Sequence, residues 1–223
     1  MPGKEMDMHR SIRAGGLWTP IVILALAGLS PAAQAASHSF TGSFSTDDQL
    51  AMFPIFLPAA GDITALTLSH SGGTNGAGQV IPGGGFAPTL TLFNDNGDNV
   101  LGNAGSSNVC PPGGGSYCWD AAFTFTGTGA GHYTLVLSQD GNDPVGQLAD
   151  GFSMSIPPGQ PHYTGLYIGD PNATFVRFDG SQRTGNWALD VSVPDPASVV
   201  PEPAAAALLA AGLAAIGLAR RRG

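Results

Sequence analysis

The chain has 223 residues, eight Lys or Arg, sixteen Asp or Glu, and a formal net charge of −8. The imbalance is greater over residues 36–200, where thirteen Asp and no Glu are set against Arg177 and Arg183, giving a net charge of −11. Such an acidic stretch repels phosphate backbones, which argues against nucleic acid as a partner. Because it has no lysine, it also lacks a Walker-type phosphate site and a Schiff-base nucleophile.

The first 35 residues predict a cleavable secretory signal peptide. Three basic residues precede an apolar stretch over 17–29, and Ala33 and Ala35 then provide a small-x-small cleavage site. Charged, apolar and cleavage regions follow this order in signal peptides. We predict cleavage by signal peptidase after Ala35; an uncleaved N-terminal anchor is the alternative.

Residues 36–200 are long enough for one domain with a real core. Apolar and polar residues alternate with a period of two, which predicts β-strands. The predicted strands are 39–44, 49–57, 63–69, 89–93, 120–126, 132–138, 174–178 and 187–193.

Two of these segments carry further predictions. Residues 49–57 are apolar on both faces, which predicts a strand covered on both sides, although Pro54 favours an edge or a bulge. The strands 120–126 and 132–138 are joined by the glycine-rich residues 127–131, which predicts a hairpin.

About eight or nine strands in one domain predict an all-β fold, a single β-sandwich with jelly-roll-like connectivity. We expect a signal helix before it and a transmembrane-type helix after it. The predicted organisation is a signal peptide over 1–35, the sandwich over 36–193, a Pro-rich linker over 194–200, and a sorting or anchor segment over 201–223.

Cys110 and Cys118 lie in a loop that is rich in proline and glycine. An exported chain meets an oxidising compartment, so we predict a disulfide between them. Metal binding by these two cysteines is the alternative, disfavoured because no histidine lies nearby.

Aspartates in the predicted turns are candidate ligands for Ca²⁺, the one cofactor for which the sequence offers candidates. The alternative is that these side chains cap the backbone of their own turns. The candidate residues are Asp47, Asp48, Asp95, Asp98 and Asp120.

Aromatic residues in or beside the long loops are candidates for stacking on sugar rings, because each offers a flat apolar face. These residues are Tyr117, Trp119, Tyr163 and Tyr167. Trp187 lies in an alternating strand, and we expect it in the core. Packing within the loops is the alternative for the other four.

No sequence motif predicts catalysis. The histidines of residues 36–200 lack metal-ligand spacing, and we expect them at ordinary surface or strand positions: His38, His70, His132 and His162. There is no Gly-x-Ser-x-Gly elbow, and a glycosidase would have to use two Asp because this stretch has no Glu. We therefore expect no enzymatic activity.

The C-terminal residues predict a tail that inserts into a membrane. The apolar run over 204–219 has no polar face, which disfavours the alternative of a soluble core helix. As a helix it spans roughly 24 Å, somewhat less than a hydrocarbon core of about 30 Å. The flanking arginines favour the cytoplasmic side, which leaves the rest of the chain outside. The flanking residues are Pro201, Glu202 and Pro203 before the run, and Arg220, Arg221 and Arg222 after it.

This order of motif, apolar helix and basic end resembles the PEP-CTERM sorting segment of Gram-negative bacterial proteins. The resemblance covers about the last tenth of the chain. It implies processing by exosortase, a membrane-embedded cysteine transpeptidase, after an intermediate anchored in the inner membrane. It also implies a final location at the outer surface or in a matrix of exopolysaccharide and biofilm.

The body is similar to secreted bacterial β-sandwiches of the pre-peptidase C-terminal type, which are non-catalytic accessory domains. The similarity lies in four segments, 40–48, 72–75, 84–86 and 183–190. Members commonly carry an Asp after the Gly-Gly-Phe of the third segment, where this chain has Ala87. The resemblance implies fold and location rather than a reaction.

Together these features predict an exported, non-enzymatic protein of the cell surface or matrix, linked to exopolysaccharide. The alternatives are a secreted enzyme that acts on polysaccharide and a Ca²⁺-dependent carbohydrate-binding module. A third alternative makes the body a spacer for the processed tail.

Overall fold

The computed structural model describes residues 35–102, 110–114 and 118–195. This part of the chain is all-β, as predicted, with two short 3₁₀ helices at Leu148–Asp150 and Tyr163–Ile168. The strands are β1 (Ala35–Ser43), β2 (Ala51–Leu57), β3 (Gly61–Thr67), β4 (Gly73–Thr74), β5 (Val80–Ile81), β6 (Pro88–Asn94), β7 (Ala122–Gly127), β8 (Gly131–Gln139) and β9 (Asn186–Pro194).

The seven longer strands form two antiparallel sheets. One has the order β1-β9-β3-β7 and the other the order β2-β8-β6, while β4 and β5 form a small separate ladder. Along the chain, these seven strands alternate strictly between the two sheets. Each connection therefore crosses from one layer to the other.

The predicted hairpin between 120–126 and 132–138 is wrong for this reason. Strand β7 pairs with β3, whereas β8 pairs with β2 and β6. The glycine-rich connection carries the chain between sheets, and a period of two cannot distinguish that path from a tight turn.

The core lies between the two sheets, which makes the fold sandwich-like. Ile63 and Leu189 from the first sheet and Leu57, Leu92 and Leu135 from the second are all fully buried in one cluster. Burying an aliphatic side chain of this size contributes about 1.5–3 kcal/mol. The alternating apolar positions of the facing strands therefore supply the main stabilisation of the fold.

Trp187 belongs to this core, as predicted. Its ring lies 6.0 Å from that of Phe44 and 5.8 Å from that of Phe53, measured between centroids. Gly42 is its partner on β1, and a Cβ atom there would lie 2.3 Å from the Trp187 ring. Glycine at this position of the alternating segment leaves room for the indole.

Strand β2 is buried on one face only, so the prediction of a strand covered on both sides is wrong. Phe53 and Ile55 point into the core, while Met52 and Phe56 are more than half exposed. The strand lies at the edge of its sheet and pairs only with β8. The edge position that Pro54 favoured is confirmed.

The predicted strand over 174–178 is not formed. Phe175 has a φ of 53°, and a single bridge between Val176 and Gln182 closes a short turn. The cause is a side chain far away in sequence, because the amide of Phe175 donates to the buried carboxylate of Asp47 at 2.6 Å. We call residues 175–183 the cationic turn, since it carries Arg177 and Arg183.

Both ends of the described domain lie at the same end of the sandwich. Ala35 on β1 is directly opposite Pro194 on β9, and Ser43 is opposite Asn186 at the other end. We call these the proximal and distal ends. Since β9 has nine residues, they are about 27 Å apart.

Among the residues that the structure describes, no helix has the length and apolar character needed to cross a membrane. The predicted signal peptide up to residue 34, with Ala33, lies outside these residues. So does the predicted sorting segment over 201–223 with its Pro-Glu-Pro motif and arginines.

Candidate functional site

Aromatic, cationic and amide side chains meet in a cleft at the distal end. We call it the distal cleft. Its lining includes Trp119, Gln139, Asp140, Tyr167, Arg177 and Phe178.

Four separate segments build this cleft. Trp119 follows the disulfide loop, Gln139 ends β8, Tyr167 lies in the second 3₁₀ helix, and Phe178 lies on the cationic turn. Phe178 is 68% exposed and Tyr167 is 55% exposed, so their rings are available to a ligand. The cavity measures about 60 Å³, which suits a ring lying across the rim better than an enclosed ligand.

Arg177 lies beside two rings. Its guanidinium carbon lies 5.6 Å from the centre of the Trp119 ring and 5.4 Å from that of Phe178. The two rings are themselves in edge contact, with centroids 6.1 Å apart. Arg177 Nη1 also forms an ion pair of 3.0 Å with Asp179. Cation–π contacts of this kind restrict the position of the guanidinium group.

Two polar residues at the end of β8 face the same space. Gln139 is 6% exposed, and its Oε1 atom has no hydrogen-bond partner in the described part of the chain. A buried amide oxygen without a partner costs free energy, so an entering hydroxyl donor would be favoured. The pKa of Asp140 is raised by partial burial of its carboxyl group and then by the charge of Asp143.

Trp119 is fixed by covalent and polar contacts on both sides. Cys118 before it is joined to Cys110, as predicted, with the Cα atoms 5.0 Å apart. Asp120 after it is fully buried. The Asp120 carboxylate accepts hydrogen bonds from the Thr67 hydroxyl and from three successive backbone amides, those of Ser69, His70 and Ser71. Burial raises the pKa of Asp120, and these hydrogen bonds oppose the rise.

Arg183 lies beside the buried ring of His70. One guanidinium nitrogen, Nη2, contacts Nε2 of His70. Burial, followed by the charges of Arg183 and Arg177, lowers the pKa of His70 to about 4. The imidazole is therefore neutral near pH 7. Since arginine only donates, Nε2 is the acceptor and the ring proton lies on Nδ1.

A second buried carboxylate holds the segment that presents Tyr167. Asp47 accepts hydrogen bonds from the amide and hydroxyl of Thr164 and from the amide of Phe175. The Thr164 hydroxyl in turn accepts from the amide of Val176. One side chain thus fixes both the 3₁₀ helix and the start of the cationic turn.

The five predicted calcium ligands do not meet. Asp47 and Asp120 occupy separate buried sites, and their oxygens accept backbone amides. Asp98 belongs to a turn in which Asn94 Oδ1 accepts the amides of Asn96 and Asp98. In the described ranges, no three His, Cys, Asp or Glu lie close enough to hold a metal ion.

The two remaining candidates are also separate from one another. Asp95 is exposed in the turn after β6, and the Asp48 carboxylate accepts from the Thr46 hydroxyl at 2.8 Å. The Asp98 carboxylate accepts hydrogen bonds from the side-chain amides of Asn94 and Gln147. Calcium binding stays a prediction to which the described geometry adds nothing.

Two of the four candidate aromatic residues, Trp119 and Tyr167, reach the distal cleft. Tyr163 instead packs inside, where its hydroxyl donates to the Asp140 carbonyl at 2.8 Å. Burial, followed by the charge of Asp47, raises the pKa of Tyr163. Tyr117 lies outside the described residues.

Sequence reasoning missed Gln139, Arg177, Phe178 and the pairing of His70 with Arg183. His38 and His132 lie on strands beside Phe40 and Phe56, as expected of ordinary positions. The available signal was charge, because both cations of residues 36–200 lie within one short segment.

Ala87 also lines the distal cleft. It stands at the position where the resemblance to secreted sandwiches leads us to expect an Asp. The methyl group leaves space there but offers no oxygen ligand, so a cation site at this point lacks that donor.

Larger cavities lie elsewhere on the described surface. One of about 250 Å³ opens between β1 and β2 and is lined almost wholly by apolar side chains. Another, of about 520 Å³, lies over β8 beside the turn after β6, and a third, of about 170 Å³, lies beside Trp187. The lining of each of these three lacks both an Arg or Lys and the buried unpartnered amide seen at the distal cleft.

The fold and the cleft define an all-β protein of two facing antiparallel sheets with an aromatic and cationic site at one end. No protein-family model matches the chain, and no curated protein is significantly similar to it.

Proposed function

We propose that this is an exported, non-enzymatic protein of the cell surface or matrix, whose jelly-roll-like sandwich binds polysaccharide through the distal cleft. Its C-terminal Pro-Glu-Pro segment sorts it, and signal peptidase and exosortase process it. The strict alternation of strands between two sheets supports the jelly-roll-like connectivity.

The observation that carries the binding function is the exposure of Phe178 and Tyr167 around a fixed Arg177. An isolated exposed aromatic residue is unremarkable on a protein surface. Two exposed rings beside Trp119 and a buried, unpartnered amide oxygen are a different case. Rings provide apolar faces for sugar C–H groups, and Gln139 and Arg177 provide directional hydrogen bonds for hydroxyl groups.

The position of the cleft agrees with display from a membrane. The chain enters at Ala35 and leaves at Pro194, both at the proximal end, whereas the cleft lies at the distal end. A domain tethered near Pro194 would present the cleft away from the tether, toward surrounding polysaccharide.

Binding of the purified domain to a panel of soluble polysaccharides tests the proposal, measured by affinity electrophoresis and calorimetry. We expect Trp119→Ala and Phe178→Ala to weaken binding about tenfold, because each removes a stacking face. Phe56→Ala is the matched control, since Phe56 is 52% exposed but lies on β2 outside the distal cleft.

Wild-type protein that binds none of the polysaccharides would refute the proposal. Equal losses in Phe56→Ala and Phe178→Ala would place binding elsewhere. Running the panel with and without a chelator separates a calcium-dependent module from a metal-independent one.

The raised pKa of Asp140 favours one alternative, an enzyme that acts on polysaccharide, because glycosidases need a protonated carboxyl group as general acid. Reducing-end assays with wild type and Asp140→Asn decide between the two. We expect no turnover by either protein and retained binding by both. Turnover that Asp140→Asn abolishes would make the protein an enzyme.

A further inference from the structure

Both cations of the described residues lie at the distal end, on the cationic turn. Arg177 and Arg183 are six positions apart, in a domain that otherwise carries thirteen Asp. Burial, followed by the charge of Arg177, lowers the pKa of Arg183, so the two guanidinium groups lie within electrostatic reach of each other. The acidic domain thus concentrates its positive potential in one place.

Arg183 lies on the cationic turn beside the lining of the cleft. Within the described part of the chain no carboxylate lies within 4.0 Å of it, and its close contact is the neutral ring of His70. Burial lowers the pKa of Arg183, and the charges of Asp179 and Asp120, which act from a greater distance, offset this only in part. An anionic ligand would supply a closer counter-charge.

Arg177 has unused hydrogen-bond donors with which an anion could interact. Its position is restricted by contacts with Trp119 and Phe178, and only one of its terminal nitrogens is engaged by Asp179. A guanidinium group has five N–H donors arranged in a fork that matches a carboxylate. Several donors therefore remain for an anion, on a side chain whose position is already restricted.

The acidic groups around the two arginines are largely committed to other partners. Asp179 accepts the hydroxyl and amide of Ser181 in addition to its ion pair. Asp120 beneath them accepts hydrogen bonds from four groups of the chain. Asp140 at the rim remains a local source of repulsion, softened by its raised pKa.

Aspartates far from the distal cleft have little effect on the binding of an anionic ligand there. At physiological ionic strength the Debye length is about 8 Å, so charges at the proximal end are screened from a ligand in the cleft. The two arginines near the cleft therefore determine whether it prefers a charged or a neutral ligand.

We propose that the distal cleft selects acidic polysaccharides, and that Arg177 and Arg183 bind the carboxylate groups of uronic-acid residues. The sugar ring lies against the exposed faces of Phe178 and Tyr167. This inference rests on the proposed polysaccharide-binding function and names the chemical class of its ligand.

Two ligands that differ only in charge test it, namely polygalacturonate and its fully methyl-esterified form. Both are measured in the presence of a chelator, so that no calcium bridge contributes. We expect wild-type protein to bind the acid form about tenfold more tightly, the scale of one charge-assisted hydrogen bond. Raising the salt concentration should weaken this binding and leave the ester unaffected.

The variants Arg177→Gln and Arg183→Gln should each lose about tenfold in affinity for the acid form. Their affinity for the ester should fall much less, because the ester has no carboxylate and loses at most a hydrogen bond between Arg177 and a hydroxyl group. Asn96→Asp is the matched control, because it lowers the net charge by the same single unit at an exposed position in the turn after β6. Should Arg183→Gln melt at a lower temperature, Arg183→Lys keeps the charge without the fork and is expected to bind at an intermediate level.

Equal binding of the two ligands would overturn the acidic preference while leaving polysaccharide binding intact. An effect of Asn96→Asp as large as that of Arg177→Gln would overturn the role of the two arginines. If wild type binds neither ligand and no other polysaccharide, the proposed function fails and this inference fails with it.

Discussion

His70 is a buried histidine whose protonation the fold opposes. It is 4% exposed and faces two arginines, and its pKa falls to about 4 from an ordinary value of 6.5. Between these two values the unfolded chain binds a proton that the folded protein does not. Stability contributed by the neutral ring is therefore complete above pH 6.5 and is lost as the pH falls toward 4.

We expect wild-type protein to lose about 3 kcal/mol more unfolding free energy than His70→Gln between pH 7 and pH 4. The glutamine oxygen can still accept from Arg183 but does not titrate in this range. The measurement is urea unfolding of both proteins at several pH values. The raised pKa of Asp120 has the opposite sign, but it is common to both proteins and cancels in the comparison.

Parallel pH profiles for wild type and His70→Gln would contradict this account. Thr89→Val provides a control for altering a buried polar group at the distal end. Thr89 is 1% exposed, its hydroxyl has no hydrogen-bond partner in the described residues, and neither side chain titrates. We expect its profile to run parallel to that of wild type.

Single residues also show where sequence reasoning stops. The pattern of Asp in turns is compatible with calcium, and more so with hydrogen bonds to the backbone. The role of Asp47 is set by its hydrogen bonds with Thr164 and Phe175, which lie more than a hundred positions later in the chain. Neither composition nor spacing encodes a partner at that distance.

At the scale of elements, the disulfide loop that precedes Trp119 can be tested for its role in positioning the Trp119 ring. Cys110 and Cys118 are eight positions apart, so their disulfide closes a short ring. A double Cys110→Ser and Cys118→Ser variant should lose about 2 kcal/mol of unfolding free energy, because the unfolded chain gains freedom. It should also bind polysaccharide more weakly, since Trp119 is no longer fixed.

Denaturant unfolding and the polysaccharide panel measure these two effects. Wild-type protein treated with a reductant should behave like the double variant, which controls for the serine substitutions themselves. Undiminished binding by a folded double variant would show that the loop does not position Trp119.

The elements themselves were largely predictable, and their partners were not. A period of two located β3, β6, β7, β8 and β9 to within a few residues, because burial of one face imposes that period. It could not show that β7 and β8 belong to different sheets. It also failed at Phe175, where a buried carboxylate captures the backbone amide and replaces a strand with a turn.

At the scale of the whole molecule, the pairing of β1 with β9 brings both predicted processing sites toward one end. Ala35, the predicted last residue of the signal peptide, is opposite Pro194. From Asp195 to the Pro-Glu-Pro motif is a reach of at most about 21 Å for an extended chain. The first strand is held by β9 along its whole length, so loss of the residues before Ala36 leaves eight of its nine positions paired.

Mass spectrometry of the exported protein in a host that has an exosortase tests this organisation. We expect an N-terminus at Ala36 and loss of the apolar residues over 204–223, because a run of roughly 24 Å is short for a permanent anchor. A Glu202→Ala variant should keep the tail and remain in the membrane fraction, while Asp195→Asn, a nearby change outside the motif, should be processed like wild type. An intact C-terminus on the exported wild-type protein would instead make residues 201–223 a plain anchor, with the distal cleft held permanently within about 50 Å of the membrane.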